Sequence, residues 1–356
     1  MTGKIKVIQV STGNVGSHAL RAIIEHPALE LVGLWVHSTQ RQGQDAGVLA
    51  GIAPCGVLAT GDLDALLKLD AQAVCYCSGA DSRLGDAVDD FTKILRAGKN
   101  IVSPSLPFLT HPPQAPEGFA DGLREAALAG GATCFVSGID PGFANDLIPL
   151  TLLSVCRKVE TIRVSEILNY ATYNQPRTLF DIMGFGRAMD DVPMLLSPGI
   201  LTFAWGGVIQ MMADAAGAKL DEIKEVWERL PAPHDIEIAL GTIRQGTAAA
   251  LRFELQGIVD GRPAIIVEHV TRIDDAMAPE WKQGIGSGSY RIDITGDPAI
   301  TMDFAIHGAD GDHNTGGLLA SAMRLVHAIP AVVAAPPGLI GTLDLLKVMP
   351  LGVFSA

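Results

Sequence analysis

A short turn near the amino terminus is the first feature with recognisable chemistry. The segment Ser11-Thr12-Gly13-Asn14-Val15-Gly16 follows the apolar run Ile5–Val10 and opens a helix-like stretch. A G-x-G-x-x-G turn between a first strand and a first helix binds a pyrophosphate, because its glycines allow close backbone approach and the helix start supplies N–H donors. Gly13 and Gly16 fill the second and third glycine positions, and Ser11 can fill the first if its dihedral angles stay in the allowed region. The pattern favours dinucleotide binding over a merely tight turn.

The segment after the second predicted strand bears on the choice of cofactor. Leu29–Val36 is followed by His37-Ser38-Thr39-Gln40-Arg41, which contains no carboxylate. A site selective for NAD holds an Asp or Glu there for the ribose 2′-hydroxyl, whereas a 2′-phosphate is met by hydroxyls and a forked guanidinium. Ser38, Thr39 and Arg41 therefore favour NADP(H), and NAD(H) stays open as the alternative. The competing interpretation is a solvated loop.

Two loops close the next predicted strands. Ser78 and Gly79 end the strand Ala73–Ser78 and are expected to pass beneath the cofactor. After the strand Asn100–Ser103 the chain carries five prolines between residues 104 and 116, which predicts a stiff, extended loop. Ligands of open parallel sheets bind at the carboxyl ends of the strands. This loop is interpreted either as a wall of the substrate pocket or as a packing spacer.

A third turn, Gly138-Ile-Asp-Pro-Gly-Phe-Ala-Asn-Asp146, follows the predicted strand Thr133–Gly138. Pro141 directly after Asp140 predicts a helix start, because proline suits the first helical turn and aspartate caps it. The place of this turn at the end of the last parallel strand makes Pro141, Phe143 and Asn145 candidates for contact with the nicotinamide.

Hydride transfer to a carbonyl or an imine needs a proton donor whose pKa lies near neutrality. Glu166 lies in the predicted strand Thr161–Tyr170, where alternation puts it on one face with Ile162, Val164 and Leu168. An apolar face would partly desolvate the carboxyl group and raise its pKa. Glu166 is therefore the first acid/base candidate, and a glutamate on a solvated face is the alternative.

His313 is the second acid/base candidate. It lies in a polar loop just before the last long predicted helix, Asn314–Ala328, where an imidazole would be accessible. The alternative is a helix cap made by Asp312 or Asn314 with a bystander imidazole.

Two further sets of residues are open to a functional and a structural interpretation. The polar residues of the later strands are interpreted as subunit-interface or solvated charges: Glu254, Glu268, His269 and Arg272. An apolar set could line a pocket for a bulky hydrophobic substrate, although core packing is the more common use: Met183, Phe185, Met194, Phe203, Trp205, Met211 and Met212.

The elements that position these residues fall into two halves. Apolar runs alternate with helical stretches through the first 150 residues, which predicts a doubly wound parallel sheet in a Rossmann domain, 1–150. Later runs alternate apolar and polar residues and are separated by turn signals such as Asp260-Gly261, with helices expected at about 202–217 and 219–229. The prediction is a C-terminal α+β domain, 151–330, with a mixed or antiparallel sheet. A tail, 331–356, is expected to pack back on the Rossmann domain.

Composition excludes several classes of protein. The 356 residues are 48% hydrophobic and 18% charged, which excludes intrinsic disorder. A net charge of −13 argues against nucleic acid or an anionic membrane as the main partner. The apolar stretch Ile329–Ile340 is short and interrupted by prolines, so no membrane span is expected. The chain enters a strand-like run at once, so we expect no signal peptide and a cytoplasmic protein. The five cysteines form no C-x-x-C pair and are expected to be buried free thiols, without a metal site.

The chain resembles the dihydrodipicolinate-reductase-like superfamily, and within it the branch of 2,4-diaminopentanoate dehydrogenase and native amine dehydrogenases. The resemblance rests on the Ser11–Gly16 turn, the 138–146 turn and the stretch Glu166-Ile-Leu-Asn169-Tyr170-Ala-Thr-Tyr173. It implies a Rossmann domain, a second domain for the substrate, and a homodimer. It further implies NAD(P)H-dependent reductive amination of a carbonyl compound with ammonia, or the reverse reaction. Tyr170 and Tyr173 match pocket positions of the family and could orient the carbonyl oxygen.

One departure from the family pattern leaves alternatives open. Members with demonstrated amine chemistry carry a glutamate shortly after the strand that ends here near Ser103, whereas this chain has Ser105-Leu106-Pro107 and no carboxylate between Asn100 and Gln114. Either another residue supplies the acid/base function, or the chain reduces a carbonyl to an alcohol without amine chemistry. A non-catalytic, cofactor-binding regulatory protein is the alternative from another class.

Overall fold

The computed structural model describes residues 3–80, 83–116 and 118–345. It divides into two compact units, the first formed by Met1–Phe143 with Leu318–Ala356 and the second by Ala144–Gly317. The sequence-based division stood at residues 150 and 330, and both limits found from the structure lie earlier in the chain.

The first unit alternates strands with helices. In chain order its elements are β1 (Ile5–Val10), α1 (Asn14–Glu25), β2 (Leu29–Trp35), α2 (Ala46–Leu49), β3 (Ala59–Thr60), α3 (Leu63–Leu67), β4 (Ala73–Tyr76), α4 (Leu84–Arg96), β5 (Asn100–Ser103), α5 (Ala120–Gly130) and β6 (Thr133–Val136). Helix α1 shows why these residues form helices, because its buried positions Gly16, Ala19, Leu20 and Ile23 recur at helical spacing.

The later part of the chain is richer in long strands. Its elements are α6 (Leu147–Leu153), β7 (Lys158–Asn169), α7 (Ile200–Ala216), β8 (Glu222–Pro231), β9 (Ile236–Ile238), β10 (Gly241–Ile243), β11 (Ala248–Val259), β12 (Arg262–Arg272), β13 (Gly288–Asp297), β14 (Ile300–Phe304), α8 (His313–Ala334) and β15 (Gly338–Ile340).

The sheet of the first unit has seven strands in the order β15-β6-β5-β4-β1-β2-β3, and every pairing is parallel. Strands β4 and β6 are buried at all four positions, as expected for strands covered by helices on both faces. The predicted Rossmann fold is confirmed. Strand β15 of the predicted tail pairs with β6, while residues 346–356 of that tail lie outside the described residues.

Helix α8 is long and apolar enough to cross a membrane by length and composition alone, a test that core helices of soluble proteins also pass. Ala322, Leu325, Val326 and Ile329 are fully buried in the apolar core of the first unit. The predicted end of this helix at Ala328 is wrong, because the helix continues through Pro330 to Ala334. A proline near a helix end removes one N–H donor without preventing the last turn.

The sheet of the second unit has six strands in the order β14-β13-β7-β12-β11-β8. Only β7 and β12 pair in parallel, and the other neighbours are antiparallel, so the predicted mixed sheet is confirmed. The predicted hairpin turn between β11 and β12 is also confirmed. Asp260 and Gly261 have φ values of 50° and 73°, the left-handed conformations that a two-residue hairpin requires.

Three structural expectations are wrong. The stretch 219–229 is not a helix, because Glu222–Pro231 forms the edge strand β8 against β11. Glu254, Glu268, His269 and Arg272 are not solvated, since each is at most 6% exposed within this single chain. The free cysteines are not all buried, because Cys55 is exposed.

Arg272 fastens the segment after β12 to that strand. Its Nε donates to the carbonyl of Met277 at 2.9 Å, and its Nη2 donates to the carbonyls of Ala278 and Lys282 at 3.1 and 3.0 Å. Its guanidinium also lies over the Trp281 ring, 6.0 Å from the centroid. One buried cation therefore satisfies three carbonyls of a segment that has no strand partner of its own.

We expect Arg272→Met to lower the free energy of unfolding by about 3 kcal/mol, because the carbonyls of Met277 and Lys282 lose their donor, whereas the Ala278 carbonyl keeps the Trp281 N–H at 3.0 Å. Urea unfolding followed by circular dichroism measures the change. The matched control is Arg262→Met on the same strand, which is exposed and should change stability by less than about 0.5 kcal/mol. Equal midpoints for the two variants would contradict the fastening role.

Candidate functional site

The Ser11–Gly16 turn forms a backbone cradle at the carboxyl end of β1. A Cβ added at Gly16 would lie 2.5 Å from the carbonyl oxygen of Ser11, so only glycine fits there. A Cβ added at Gly13 would meet only the Ser11 hydroxyl, at 3.8 Å, which leaves that side of the turn open to a ligand. The buried Gln9 amide donates to the Ser11 carbonyl at 3.0 Å and supports the turn from below. These features fit the close approach of a pyrophosphate.

Ser11 adopts the conformation of the glycine that it replaces. Its φ is +77°, so Ser11 fills the first glycine position without meeting the condition that its dihedral angles stay in the commonly allowed region. A left-handed conformation costs a residue with a Cβ about 1–2 kcal/mol. The turn geometry is therefore kept at the expense of local strain.

The start of α1 suits an anion. Its N-cap, Gly13, has no side chain with which to cap the helix, and no acidic residue lies in the first turn. The first N–H groups of a helix have no partner inside the helix and carry the positive end of its dipole. Thr12, Asn14 and Val15 complete the segment that presents these groups.

Arg41 connects the loop after β2 with the same turn. Its Nη1 donates to the carbonyl oxygen and to Oγ1 of Thr12, at 3.0 and 2.6 Å. Ser38 precedes the short helical turn Thr39–Arg41, so both hydroxyls and the guanidinium belong to one exposed segment. The next carboxylate along the chain, Asp45, accepts hydrogen bonds from four backbone N–H groups, which lower its pKa against the effect of burial. No carboxylate of this segment is placed for a ribose 2′-hydroxyl.

Hydroxyl groups join the ends of β4 and β5. Ser105 Oγ donates to the carbonyl of Ser78 at 2.6 Å, and Ser103 Oγ donates to the carbonyl of Tyr76 at 2.6 Å. Ser78 is buried, whereas Gly79 beside it is exposed. Ser105, which lies where the family pattern has its glutamate, therefore holds two strands together and offers no carboxylate.

The proline-rich loop is not extended as predicted. It contains two short helical turns, Pro107–Leu109 and Pro112–Gln114, each with a proline in the first helical position. The fixed φ of proline suits that position as well as an extended chain, which explains the difference. Leu106, Phe108 and Leu109 are buried, so the loop packs with its own apolar side chains.

The predicted helix start at Pro141 is wrong. Ile139 and Gly142 form an antiparallel bridge instead, and a Cβ added at Gly142 would lie 2.1 Å from the Gly138 carbonyl oxygen. The helix begins at Leu147, where Asp146 accepts the backbone N–H of Leu147. Pro141 and Phe143 lie half-buried at the end of the first unit, and Asn145 is fully buried in the second.

In the second unit, Glu166 lies beside a buried histidine. Parallel pairing of β7 with β12 sets Glu166 opposite His269, and Nδ1 of His269 lies 3.3 Å from Oε1 of Glu166. The imidazole stacks on Phe253, with centroids 4.4 Å apart and planes 14° apart, and meets the edge of Trp205 at 4.8 Å. Glu166 and His269 are 6% and 5% exposed. The apolar surroundings predicted for Glu166 are therefore present.

His269 is a functional candidate that was not predicted from the sequence. Alternation along the strand is the signal that points to it, because His269 shares a strand face with the buried Ile265 and Val267. A titratable group on an apolar face is a functional candidate on physical grounds.

Two tyrosines follow β7. The rings of Tyr170 and Tyr173 stack with centroids 4.5 Å apart, and the Gln175 amide donates to the Tyr173 hydroxyl at 2.9 Å. The backbone N–H of Tyr170 donates to the Arg272 carbonyl at 2.8 Å. Both rings are half-buried, so they form an aromatic surface directly after the strand that carries Glu166.

His313 lies at the start of α8. Its Nε2 is 2.5 Å from the carbonyl oxygen of Asn169, and its ring packs on Gly288, where a Cβ would come within 2.3 Å. Asp312 accepts the N–H of Thr315 at 2.7 Å and so caps the helix. The alternative interpretation of this loop, a helix cap made by Asp312, is therefore confirmed. His313 itself contacts the Asn169 carbonyl at the end of β7.

The apolar set divides between core and surface. Met183, Phe185 and Met212 belong to the apolar core of the second unit, and Met211 is also fully buried. Phe203 and Trp205 are half-buried, and Met194 is 43% exposed. Burial in the core therefore accounts for four of the seven.

Comparison with known proteins agrees with these features. The family profile of the 2,4-diaminopentanoate dehydrogenase C-terminal domain matches residues 143–352. An amine dehydrogenase of Streptomyces virginiae is 40% identical over 96% of both chains. The chain belongs to the amine dehydrogenase and 2,4-diaminopentanoate dehydrogenase family. The resemblance noted from the sequence is thereby confirmed.

Two more distant relatives extend the comparison. The 2,4-diaminopentanoate dehydrogenase of Acetoanaerobium sticklandii is 25% identical over 96% of this chain and 93% of its own. The solved structure of the amine dehydrogenase from Mycobacterium smegmatis superposes with a TM-score of 0.77 at 20% identity, with 96% of each chain covered. At this identity the structural match supports the fold.

We expect Ser11→Gly to raise the free energy of unfolding by about 1 kcal/mol, because glycine adopts φ = +77° without strain. Thermal unfolding at one protein concentration measures the change. Ser17→Gly, inside α1, is the control and should have the opposite sign, because glycine weakens a helix. A loss of stability in Ser11→Gly would refute the strained conformation.

Proposed function

We propose that the chain catalyses the NADPH-dependent reductive amination of a hydrophobic ketone or aldehyde, or the reverse oxidative deamination. The observation that carries the proposal is the Ser11–Gly16 cradle, which fits a dinucleotide, in a chain 40% identical to an amine dehydrogenase. The reaction converts a carbonyl compound, ammonia, NADPH and one proton into an amine, NADP⁺ and water.

Residues of the first unit hold the pyrophosphate in this proposal. The N–H groups at the start of α1 bind the pyrophosphate, and Gly13 and Gly16 allow its approach. Ser78 and Gly79 line its path, while Pro141, Phe143 and Asn145 contact the nicotinamide. When bound, the reduced nicotinamide supplies the hydride that adds to the imine carbon.

Glu166 moves the protons. Ammonia adds to the carbonyl carbon, and the Glu166 carboxylate takes a proton from the nitrogen and gives it to the oxygen, which forms the carbinolamine. Glu166 then takes a second proton from the nitrogen and gives it to the hydroxyl group, which leaves as water and gives the imine. The imine takes up the hydride and the one further proton of the overall reaction. A carboxyl group on an apolar strand face suits both transfers, because desolvation brings its proton affinity towards that of the reacting groups. In this way Glu166 takes the part of the glutamate that the family carries after the equivalent of Ser103.

Tyr170, Tyr173 and His313 are assigned supporting parts. The stacked tyrosines orient the carbonyl oxygen, and their aromatic faces favour a hydrophobic substrate. His313 remains a candidate general acid. To act as one, its Nε2 must leave the hydrogen bond with the Asn169 carbonyl and form one with the substrate.

The preference for NADPH rests on Ser38, Thr39 and Arg41. Arg41 uses Nη1 for Thr12, and neither its Nε nor its Nη2 makes a hydrogen bond to the described part of the chain. These donors and the two hydroxyls are available to a 2′-phosphate, and no carboxylate competes for the position. NAD(H) is the alternative cofactor.

We expect Arg41→Ala to weaken NADPH binding by about 10–100-fold, because a charge-assisted hydrogen bond contributes about 1.5–3 kcal/mol. NADH binding should change by less than about threefold, since it lacks the 2′-phosphate. Calorimetric titration of both cofactors measures the two dissociation constants. Arg21→Ala, an exposed residue of α1 paired with Glu25, is the control and should leave both unchanged. Equal losses for the two cofactors would exclude the 2′-phosphate role.

A second candidate function is carbonyl reduction to an alcohol without amine chemistry. The observation that favours it is Ser105, whose hydroxyl is bonded to the Ser78 carbonyl where a carboxylate would handle ammonia. The two candidates share a cofactor and differ in their products.

Incubation with NADPH, a panel of hydrophobic ketones and ammonium distinguishes the two. We expect an amine product, an NADPH oxidation rate that rises with ammonium, and no alcohol; mass spectrometry identifies the products. Alcohol formation that is insensitive to ammonium would replace the first proposal with the second. Failure of millimolar NADPH or NADH to raise the melting temperature would refute cofactor binding itself.

The homodimer and the cytoplasmic location stay predictions. The first rests on the family resemblance.

A further inference from the structure

We propose that His269 is the positioning residue of Glu166, holding its carboxylate in the orientation from which it accepts the first proton. The inference rests on the acid/base role proposed for Glu166 and adds to it a partner that no family motif quoted above contains. The observation behind it is the buried pair on adjacent strands, with Nδ1 of His269 3.3 Å from Oε1 of Glu166.

Burial makes a partner necessary. A carboxylate removed from water loses its hydration, and an ionised group in that position needs a compensating donor or charge. Glu166 is 6% exposed and has buried apolar residues next to it on the same strand face, Ile162 and Val164. His269 brings an N–H donor to this face from the neighbouring strand. The pair therefore supplies a hydrogen-bond donor to the Glu166 carboxylate from the strand beside it.

The imidazole is held in place by aromatic rings. Phe253 stacks on one face of the His269 ring, with planes 14° apart, and Trp205 meets the ring from the side, with planes 65° apart. Phe253 comes from β11 and Trp205 from α7, so the two rings fix the imidazole from different elements. A ring that cannot turn delivers its Nδ1 in a constant direction, which is what orienting a carboxylate requires.

The strand register that joins the pair is fixed on the opposite face of the sheet. Ser165 and Glu268, the neighbours of Glu166 and His269, are paired in the same register, and Ser165 Oγ donates to Glu268 at 2.7 Å. Although burial acts to raise it, the pKa of Glu268 is lowered to about 2, first by the Ser165 hydrogen bond and then by the charges of Lys282 and Arg163. A one-residue slip of β12 would break this ionic layer and separate His269 from Glu166.

The geometry has a consequence for the direction of proton flow. In the proposed arrangement the Nδ1–H of His269 donates to Oε1 of Glu166. When Glu166 has taken the proton from the adding ammonia, the contact with His269 weakens, because a neutral acid is a poorer acceptor. The protonated state is thereby raised in energy and passes its proton on to the oxygen.

Two substitutions separate hydrogen bonding from packing. His269→Asn keeps a donor at the position of Nδ1 but removes the ring, whereas His269→Phe keeps a stacking ring but removes the donor. We expect His269→Phe to lower kcat about 10–100-fold with KM within about threefold, and His269→Asn to stay within about fivefold of the parent. A purely structural histidine gives the reverse order, with the Phe variant active and the Asn variant impaired. His234→Asn, an exposed histidine of the same unit, is the control and should change neither constant.

Glu166→Gln and the double variant separate this inference from the proposed function. Glu166→Gln should lower kcat at least 100-fold, and adding His269→Phe should lower it no further, because His269 acts through Glu166. A full additional loss in the double variant would overturn the positioning role alone. Unchanged kcat in Glu166→Gln would overturn the acid/base role and the inference with it, while the amine product would still identify the reaction.

A spectroscopic measurement tests the pair without substrate. The ¹⁵N spectrum of histidine-labelled protein should contain one imidazole in the Nδ1–H form, assigned to His269 by its loss in His269→Asn, and Glu166→Ala should shift its resonances. His269 in the Nε2–H form, or resonances unaffected by Glu166→Ala, would refute the donated hydrogen bond.

Discussion

The parallel pairing of β7 with β12 is the constraint on which the second unit depends. Parallel strands cannot be joined by a hairpin, and here α7, β8 and β11 lie between them in the chain. Their register sets Ser165 opposite Glu268 on one face and Glu166 opposite His269 on the other. An ionic layer and a buried acid–imidazole pair therefore depend on the same backbone hydrogen bonds. The polar contacts on one face of the sheet stabilise the strand register, and the same register keeps Glu166 opposite His269 on the other face.

The first unit depends on a comparable close approach at the end of β1. Gly16 lies so near the Ser11 carbonyl that no side chain fits, and Ser11 takes a left-handed conformation to keep that distance. Strain of this kind persists where the surroundings determine the conformation, and here the buried Gln9 amide holds the strained carbonyl. The backbone conformation of the turn is thus stabilised by a hydrogen bond from a buried side chain.

The sequence predicted best what local pattern determines. The Rossmann order follows from apolar runs alternating with helices, and the hairpin at Asp260-Gly261 follows from the residues that tolerate left-handed conformations. Strand β8 was mistaken for a helix because its charged residues also suit a helical surface, and only pairing with β11 decides between the two. The predicted helix start at Pro141 and the interpretation of Glu268 as a solvated charge were wrong for a related reason. Proline suits several kinds of turn, and burial by residues distant in sequence leaves no local mark.

The position of Glu166 explains why its partner comes from β12. A side chain on a central strand faces the residues opposite it on the two neighbouring strands. On β13 that residue is Tyr290, whose ring stacks on Phe304 with centroids 5.2 Å apart; on β12 it is His269. A carboxylate carried by a loop can find partners by moving, but one carried by a strand bonded on both sides cannot. Because Glu166 lies on β7, its carboxylate has a fixed direction and cannot move to find another partner. His269, opposite it on β12, therefore belongs to the same candidate site.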